Sequence, residues 1–426
     1  MMNTARKLLG TVAVIATLGV VAGCSSAGDP TPVRTTAAPG SVDLRMTVWT
    51  SNEAQLALFN GIADAYKKDH AEIGTITFES LPFADYNTTL TTQIAGGNAP
   101  DLAWMGDLSR DLITAGALVP LTETLKSTEG WDYDDLLQSV VGQFSDGDQL
   151  YAYPFSNSPF ALYVNEDVLA QAGQTLPTNP TWEEVSEIGS AVHAATGKAG
   201  FVIRDFDYSG WNVLATVWTG WGAEAWNAEG TQCGFDSEKM ADAFAFLHDA
   251  AFEKTSMPGP GAKADFFAGD SAFTIAQVSR AALLDGSFSY SVHPLPAGPV
   301  GEYSVLGQAG VGVLQSSPHV QEATDFLAYL TNPENAEQLA QFFPPPRQSL
   351  LTGEKLAANN PKLTAQQLQQ VVVDQLPSAV PLPNHTRPAE IAQKVKTALD
   401  AMWTPDADVP AVLSSVCDSI DPLLSK

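Results

Sequence analysis

Apolar runs of two kinds alternate along residues 44–107, and this alternation limits the fold more than any other feature. Leu44 to Trp49 reads as a strand, and a polar break at Thr50–Glu53 follows. Leu56, Phe59, Ala63 and Tyr66 then recur at steps of three and four, the period of a helix with one buried face. Ser51 or Asn52 suits its N-cap, and Glu53 suits its first turn. Thr75 to Glu79 is strand-like, Tyr86 to Ile94 helical, and Pro100 to Met105 strand-like again before a polar Gly106-Asp107. Strand, helix, strand, helix, strand predicts an α/β fold with a parallel sheet covered by helices. Ligands of such sheets sit beyond the carboxyl ends of the strands, where Asn52, Glu53, Trp104 and Asp107 fall.

The rest of the chain continues the mixture. Residues 146–169 hold two strand-like runs around Pro154 and Pro159. Residues 181–196 form a helix with Thr181 as cap and Glu184 at its third position, and residues 236–250 and 322–331 read as further helices. Residues 200–230 are rich in aromatics. Trp49, Trp182 and Trp226 lie in or beside apolar periodic runs and are expected in the core. The last third is mostly helical, with Pro-rich breaks at 344–346 and 377–388.

Charge narrows the partners. The net charge is −27, although only 16% of the residues are charged. Polyanion binding needs clustered cations, so nucleic acid is excluded as a partner. With 45% hydrophobic residues, the body is not a disordered chain. Six His and three Cys show no ligand spacing for a metal, and no cofactor motif is present.

At the N-terminus, Arg6 and Lys7 precede an apolar run, Leu8 to Gly23, too short for the roughly 20 residues of a spanning helix. It reads as a secretory signal over residues 1–23. Its end, Val21-Ala22-Gly23-Cys24, resembles the lipobox of bacterial lipoproteins. That resemblance implies cleavage before Cys24, acylation of its thiol, and anchorage at the extracytoplasmic face of the cell membrane. Residues 24–41, rich in Pro, Gly, Ser and Thr, would be a tether. Cys233 and Cys417 remain as an even pair in an exported chain. A disulfide is the natural reading, with two separate buried thiols as the alternative.

Several segments together resemble one family. They are TVWTSNEAQLALF (47–59), AGGNAPDLAWMGD (95–107), DGDQLYAYPFSNSPFALYVNEDVL (146–169), PTNPTWEEV (177–185), FFAGDSAFTIAQVSR (266–280) and PPPRQ (344–348). In this order they are similar to extracellular solute-binding proteins of ABC importers, the sugar-binding group that includes maltose-binding protein. The resemblance implies a type II periplasmic-binding-protein-like fold, with two α/β lobes, a ligand cleft between them and strands crossing at the hinge. Lobe one would take 42–152 and 272–312, and lobe two 153–271 and 313–426. It also implies a monomer that binds a mono- or oligosaccharide and delivers it to a membrane permease, with no catalysis.

By position in that family's pattern, the ligand would meet Asn52, Glu53, Trp104, Asp107, Asn157, Ser158, Asp207, Tyr208, Trp211, Arg280, Arg347, His385 and Arg387. Carboxylates and amides would take sugar hydroxyls, and Trp and Tyr would stack on the rings. Arg280 falls where the family often has a stacking Trp. Two other readings stay open. A polyol or glycerophosphodiester could be the ligand, held by Arg280, Arg347 and Arg387. A secreted glycosidase would use two carboxylates from Glu53, Asp107 and Asp207.

Overall fold

The structure, a computed structural model, describes residues 38–424 except 204–210, 260–263 and 359. The signal, Cys24, most of the tether, Asp207 and Tyr208 lie outside the described residues.

Strands β1 (Val42–Val48), β2 (Ile73–Ser80) and β3 (Leu102–Met105) form the expected parallel unit, with β1 between the other two. The Glu53–Asp69 helix joins β1 to β2 and buries Phe59, Ile62, Ala63 and Tyr66. Asn52 is its N-cap, and its Oδ1 accepts the Gln55 N–H at 3.1 Å. The Tyr86–Ala95 helix leads into β3.

A short hairpin of β4 (Ser145–Asp146) and β5 (Gln149–Leu150) precedes β6 (Ala152–Asn165), which is buried along all 14 residues. Here the structure departs from the two runs expected around the prolines: β6 passes through both. Pro159 is the last residue of β6 paired with β10 (Val305–Val313), and Phe160 is the first paired with β8 (Ser271–Gln277). Pro154 lies where the β6–β10 register shifts between Ala309 and Val311. A proline donates no ladder hydrogen bond and is tolerated where the ladder changes or slips.

The remaining strands are β7 (Ala199–Ile203), β9 (Tyr290–His293) and β11 (Val380–Pro381). Among the described residues, nine strands make one sheet, ordered β2-β1-β3-β10-β6-β8-β7, with β9 on β6 and β11 on β10. It has two groups that share β6. The first half of β6 pairs with β10, which pairs with β3; the second half pairs with β8 and β9, and β8 with β7. The strands come close at the crossing: a Cβ on Gly307, opposite Ser158, would lie 2.0 Å from Gln277 Nε2 and would displace that side chain.

Strand pairing therefore divides the chain differently from the expected lobe boundaries. Within 272–312, β8 and β9 join the second group, and only β10 joins the first. Residues after 313 divide as well. Phe326, in the Val320–Leu330 helix, packs on Tyr66, 5.3 Å between ring centroids. The Pro388–Leu399 and Val409–Leu424 helices pack in the core of the second group. The cause is topological: each crossing strand carries the chain from one group to the other, and a helix then covers the group it has reached.

Cys233 and Cys417 are bonded to each other, closing a separation of 184 residues within the second group. The capping box at the head of the Trp182–Thr196 helix is present, with Glu184 Oε2 accepting the Thr181 N–H at 2.8 Å.

Candidate functional site

The carboxyl ends of β1, β2 and β3 carry an aromatic group and a carboxylate. Trp49, just past β1, is half-buried rather than fully in the core. It packs edge-on against Phe83, Tyr86 and Trp104 at centroid distances of 5.9, 4.9 and 5.0 Å. Phe83, in the turn after β2, is 62% exposed. A large apolar ring left in water at strand ends is a surface to which another apolar face can dock. Asp107, past β3, has no hydrogen bond or ion pair among the described residues. Desolvation pushes its carboxyl up to about 6, because burial penalises the charged form.

Opposite the head of the Glu53–Asp69 helix lies the turn that follows β8, Val278–Leu283. Between them is a cavity of about 250 Å³, lined among others by Asn52, Ser279, Gln341, Phe342, Pro344 and Lys362. Four separate stretches converge here. Asn52 comes from the loop after β1, Ser279 from the turn after β8, Gln341 to Pro344 from the segment after the Pro333–Leu339 helix, and Lys362 from the loop before the Ala365–Leu368 helix. Lys362 is tied to the second strand group, because its carbonyl accepts the Tyr290 hydroxyl at 2.6 Å. Asn52 belongs to the first group. The cavity is thus bounded by parts of both.

Behind it, the hinge is held by polar contacts. Asn157 Nδ2 donates to the Pro154 carbonyl, its Oδ1 accepts Gln308 Nε2, and its backbone N–H donates to the Pro344 carbonyl, each at 2.8 Å. Ser158 Oγ accepts the Ser279 N–H at 2.9 Å. Asn157 and Ser158 are both fully buried. Both were expected as ligand contacts, and both tie the crossing strands to their neighbours.

The other expected residues separate into two sets. Asn52 lines the cavity. Glu53 is exposed on the first turn of its helix, and Arg280 is half-buried in the turn beside Ser279. His385 is half-buried, its Nε2 2.8 Å from the Gly230 carbonyl. Arg387 starts the Pro388–Leu399 helix with φ of 57°, and its Nη2 donates to the Leu423 carbonyl.

Trp104, Trp211 and Arg347, also expected at the ligand, are buried. Trp104 is 2% exposed and sits among Trp49, Phe59, Phe155 and Phe343. Trp211 is packed against Trp218, Trp226 and Phe235. Arg347 is 0% exposed, 4.4 Å over the Trp131 ring. It donates to the carbonyls of Asp132 at 3.1 Å and Thr331 at 2.9 Å and pairs with Asp135 at 3.7 Å. A guanidinium enclosed in this way meets protein on all sides.

Sequence reasoning did not find Ser279, Gln341, Phe342 or Lys362. Two signals were close: Arg280 neighbours Ser279, and Gln341-Phe342 shortly precedes the Pro-rich turn.

A family model described as bacterial extracellular solute-binding protein matches residues 61–365. The chain belongs to that family. Among relatives of this solute-binding protein, an arabinooligosaccharide-binding protein from Halalkalibacterium halodurans is 23% identical over 311 residues, 68% of each chain. A mannitol-binding protein from Pseudomonas aeruginosa is 27% identical over 195 residues, 43% of each. Among solved structures, an ABC substrate-binding protein from Listeria monocytogenes in complex with cycloalternan has a TM-score of 0.78 at 19% identity, covering 90% of this chain and 98% of that one. Maltose-bound MalE3 of T. maritima has a TM-score of 0.77 at 19% identity, covering 89% and 99%. The fold is accordingly the two-lobed α/β architecture.

Proposed function

We propose that this solute-binding protein is the carbohydrate-capturing component of an ABC importer. A mono- or oligosaccharide would be held between the lobes and passed to membrane permease subunits. The observation that carries this reading is the cavity between the head of the Glu53–Asp69 helix and the turn after β8, in a chain related to sugar binders. Asn52, Ser279 and Gln341 supply hydrogen-bonding groups and Phe342 an apolar face, the mixture that sugar hydroxyls and ring faces need. Asp107 adds a desolvated carboxylate without a partner among the described residues, suited to accept from hydroxyls. Trp49 and Phe83 add a stacking surface at the lobe-one rim. No catalytic step is part of this proposal.

A polyol is the second reading, favoured by the mannitol-binding relative. Anchorage through acylated Cys24 belongs to the same proposal, and Cys24→Ala should then leave the membrane fraction. Thermal-shift screening of sugars and polyols tests the ligand class, since a ligand that binds only the native state raises the melting temperature. Upward shifts with carbohydrates support the main reading. Shifts with polyols alone support the second.

A further inference from the structure

Within the cavity, Lys362 is the only charged residue among the described lining residues. The chain carries 48 acidic and 21 basic residues, so a lining without a carboxylate and with one cation runs against its composition. The Lys362 ammonium makes no hydrogen bond or ion pair among the described residues. Asp285, the carboxylate that feels its charge, is exposed and accepts the Ser287 N–H at 2.8 Å.

The remaining polar groups tell the same way. Asn52 Oδ1 is taken by the Gln55 N–H, which leaves its Nδ2 as a donor without an acceptor among the described residues. Ser279 gives its N–H to Ser158, and its hydroxyl remains. Asn360 Oδ1 accepts the N–H groups of Lys362 and Leu363, both at 2.9 Å, so this side chain is occupied in shaping the loop that presents Lys362. Gln341 Nε2 donates to the Gln338 carbonyl at 2.9 Å, leaving its Oε1 as an acceptor. Ala54, in the first turn of a 17-residue helix, also lines the cavity, and the field at a helix N-terminus is positive. The unsatisfied groups are therefore mainly donors. A neutral hydroxyl both donates and accepts, whereas a carboxylate or phosphate oxygen only accepts.

We infer that this cavity holds the anionic end of an acidic carbohydrate, a sugar bearing a carboxylate or a phosphate, with Lys362 as its counter-charge. This rests on the carbohydrate reading and narrows it. Because the cavity is small beside the roughly 300–1,000 Å³ of drug-sized pockets, it would take one ring or its acidic substituent, and any further sugar units would extend along the cleft.

Titration calorimetry of the full chain tests the inference, using neutral mono- and oligosaccharides paired with their uronate and sugar-phosphate counterparts. The expected result is at least tenfold tighter binding of one acidic class, and the uronate and phosphate arms tell which. K362M should abolish that preference, K362R should retain most of it, and raised salt should weaken it. Neutral sugars that bind as tightly as their acidic counterparts, or a preference unchanged in K362M, would overturn the inference and leave the carbohydrate reading standing. Failure of every carbohydrate, neutral and acidic, would overturn that reading and this inference together. Lys362 is half-buried at the end of a loop, so K362M should fold; a melting temperature equal to that of the unsubstituted chain verifies this.

Discussion

The carboxylate of Asp111 accepts the backbone N–H of Arg387 at 2.9 Å. Asp111 lies in the Ser109–Thr114 helix, which follows β3 of the first strand group. Arg387 opens the Pro388–Leu399 helix, whose buried face is in the core of the second. Arg387 is held in the left-handed region, which costs a non-glycine residue about 1 kcal/mol, and the charge-assisted bond helps to keep it there. The contact joins elements that pack on different strand groups.

Removing this contact should act on both stability and release. Asp111→Ala should cost about 1–2 kcal/mol, since hydrogen bonds to charged groups contribute somewhat more than neutral ones. It should also speed ligand dissociation in stopped-flow measurements. Denaturant melts within 0.3 kcal/mol of wild type, with unchanged dissociation, would show that the contact is incidental.

Asp107 should make stability depend on pH. Its carboxyl titrates near 6 in the folded chain and near 3.8 when unfolded, so between those values the folded state binds more protons. Stability therefore rises as pH falls from 7 towards 4 and is lost as pH climbs through 6. The size is at most about 3 kcal/mol, and less in so far as the side chain meets water. Asp107→Asn should be more stable than wild type at pH 7 and equal to it near pH 4, as read by denaturant titration at both pH values. An equal difference at both would contradict the assignment.

Arg347 separates a structural role from a ligand role. Arg347→Ala leaves Asp135 and two carbonyls without their cation. Loss of one partner from a buried pair costs roughly 3–5 kcal/mol. The prediction is a large fall in unfolding free energy with ligand affinity of the folded fraction unchanged. Wild-type stability with weakened binding would return Arg347 to the ligand.

Phe83→Ala tests the rim. An exposed ring contributes little to folding, so stability should stay within about 0.5 kcal/mol. Affinity should fall by roughly 1 kcal/mol if the ring stacks on ligand. Calorimetry on the variant decides, and unchanged affinity would remove Phe83 and its neighbour Trp49 from the site.

Much of the fold was legible because local signals agreed with the global arrangement. The spacing of Leu56, Phe59, Ala63 and Tyr66 marks a helix face whichever sheet it covers, and Asn52 is both a good cap and the observed one. Pro154 and Pro159 misled, because proline reads as a strand break unless one knows that β6 exchanges partners there. The depth at which Trp104 and Trp211 are buried was not legible either. Flanking polar residues suggest exposure, but burial is decided by rings brought from elsewhere, such as Phe343 against Trp104. The cavity was least legible. Asn52, Ser279, Gln341 and Lys362 are far apart in the chain and carry no common motif; only the crossing strands bring them together.

A sugar held between the lobes as proposed would extend from the cavity to the Asp107 carboxylate. Isothermal titration of the full chain and of Asp107→Ala against a panel of mono- and oligosaccharides measures it directly. Saturable one-to-one binding of at least one carbohydrate is expected, weakened more than tenfold by Asp107→Ala. Carbohydrate binding that Asp107→Ala leaves undiminished, or no binding across the panel, would contradict it.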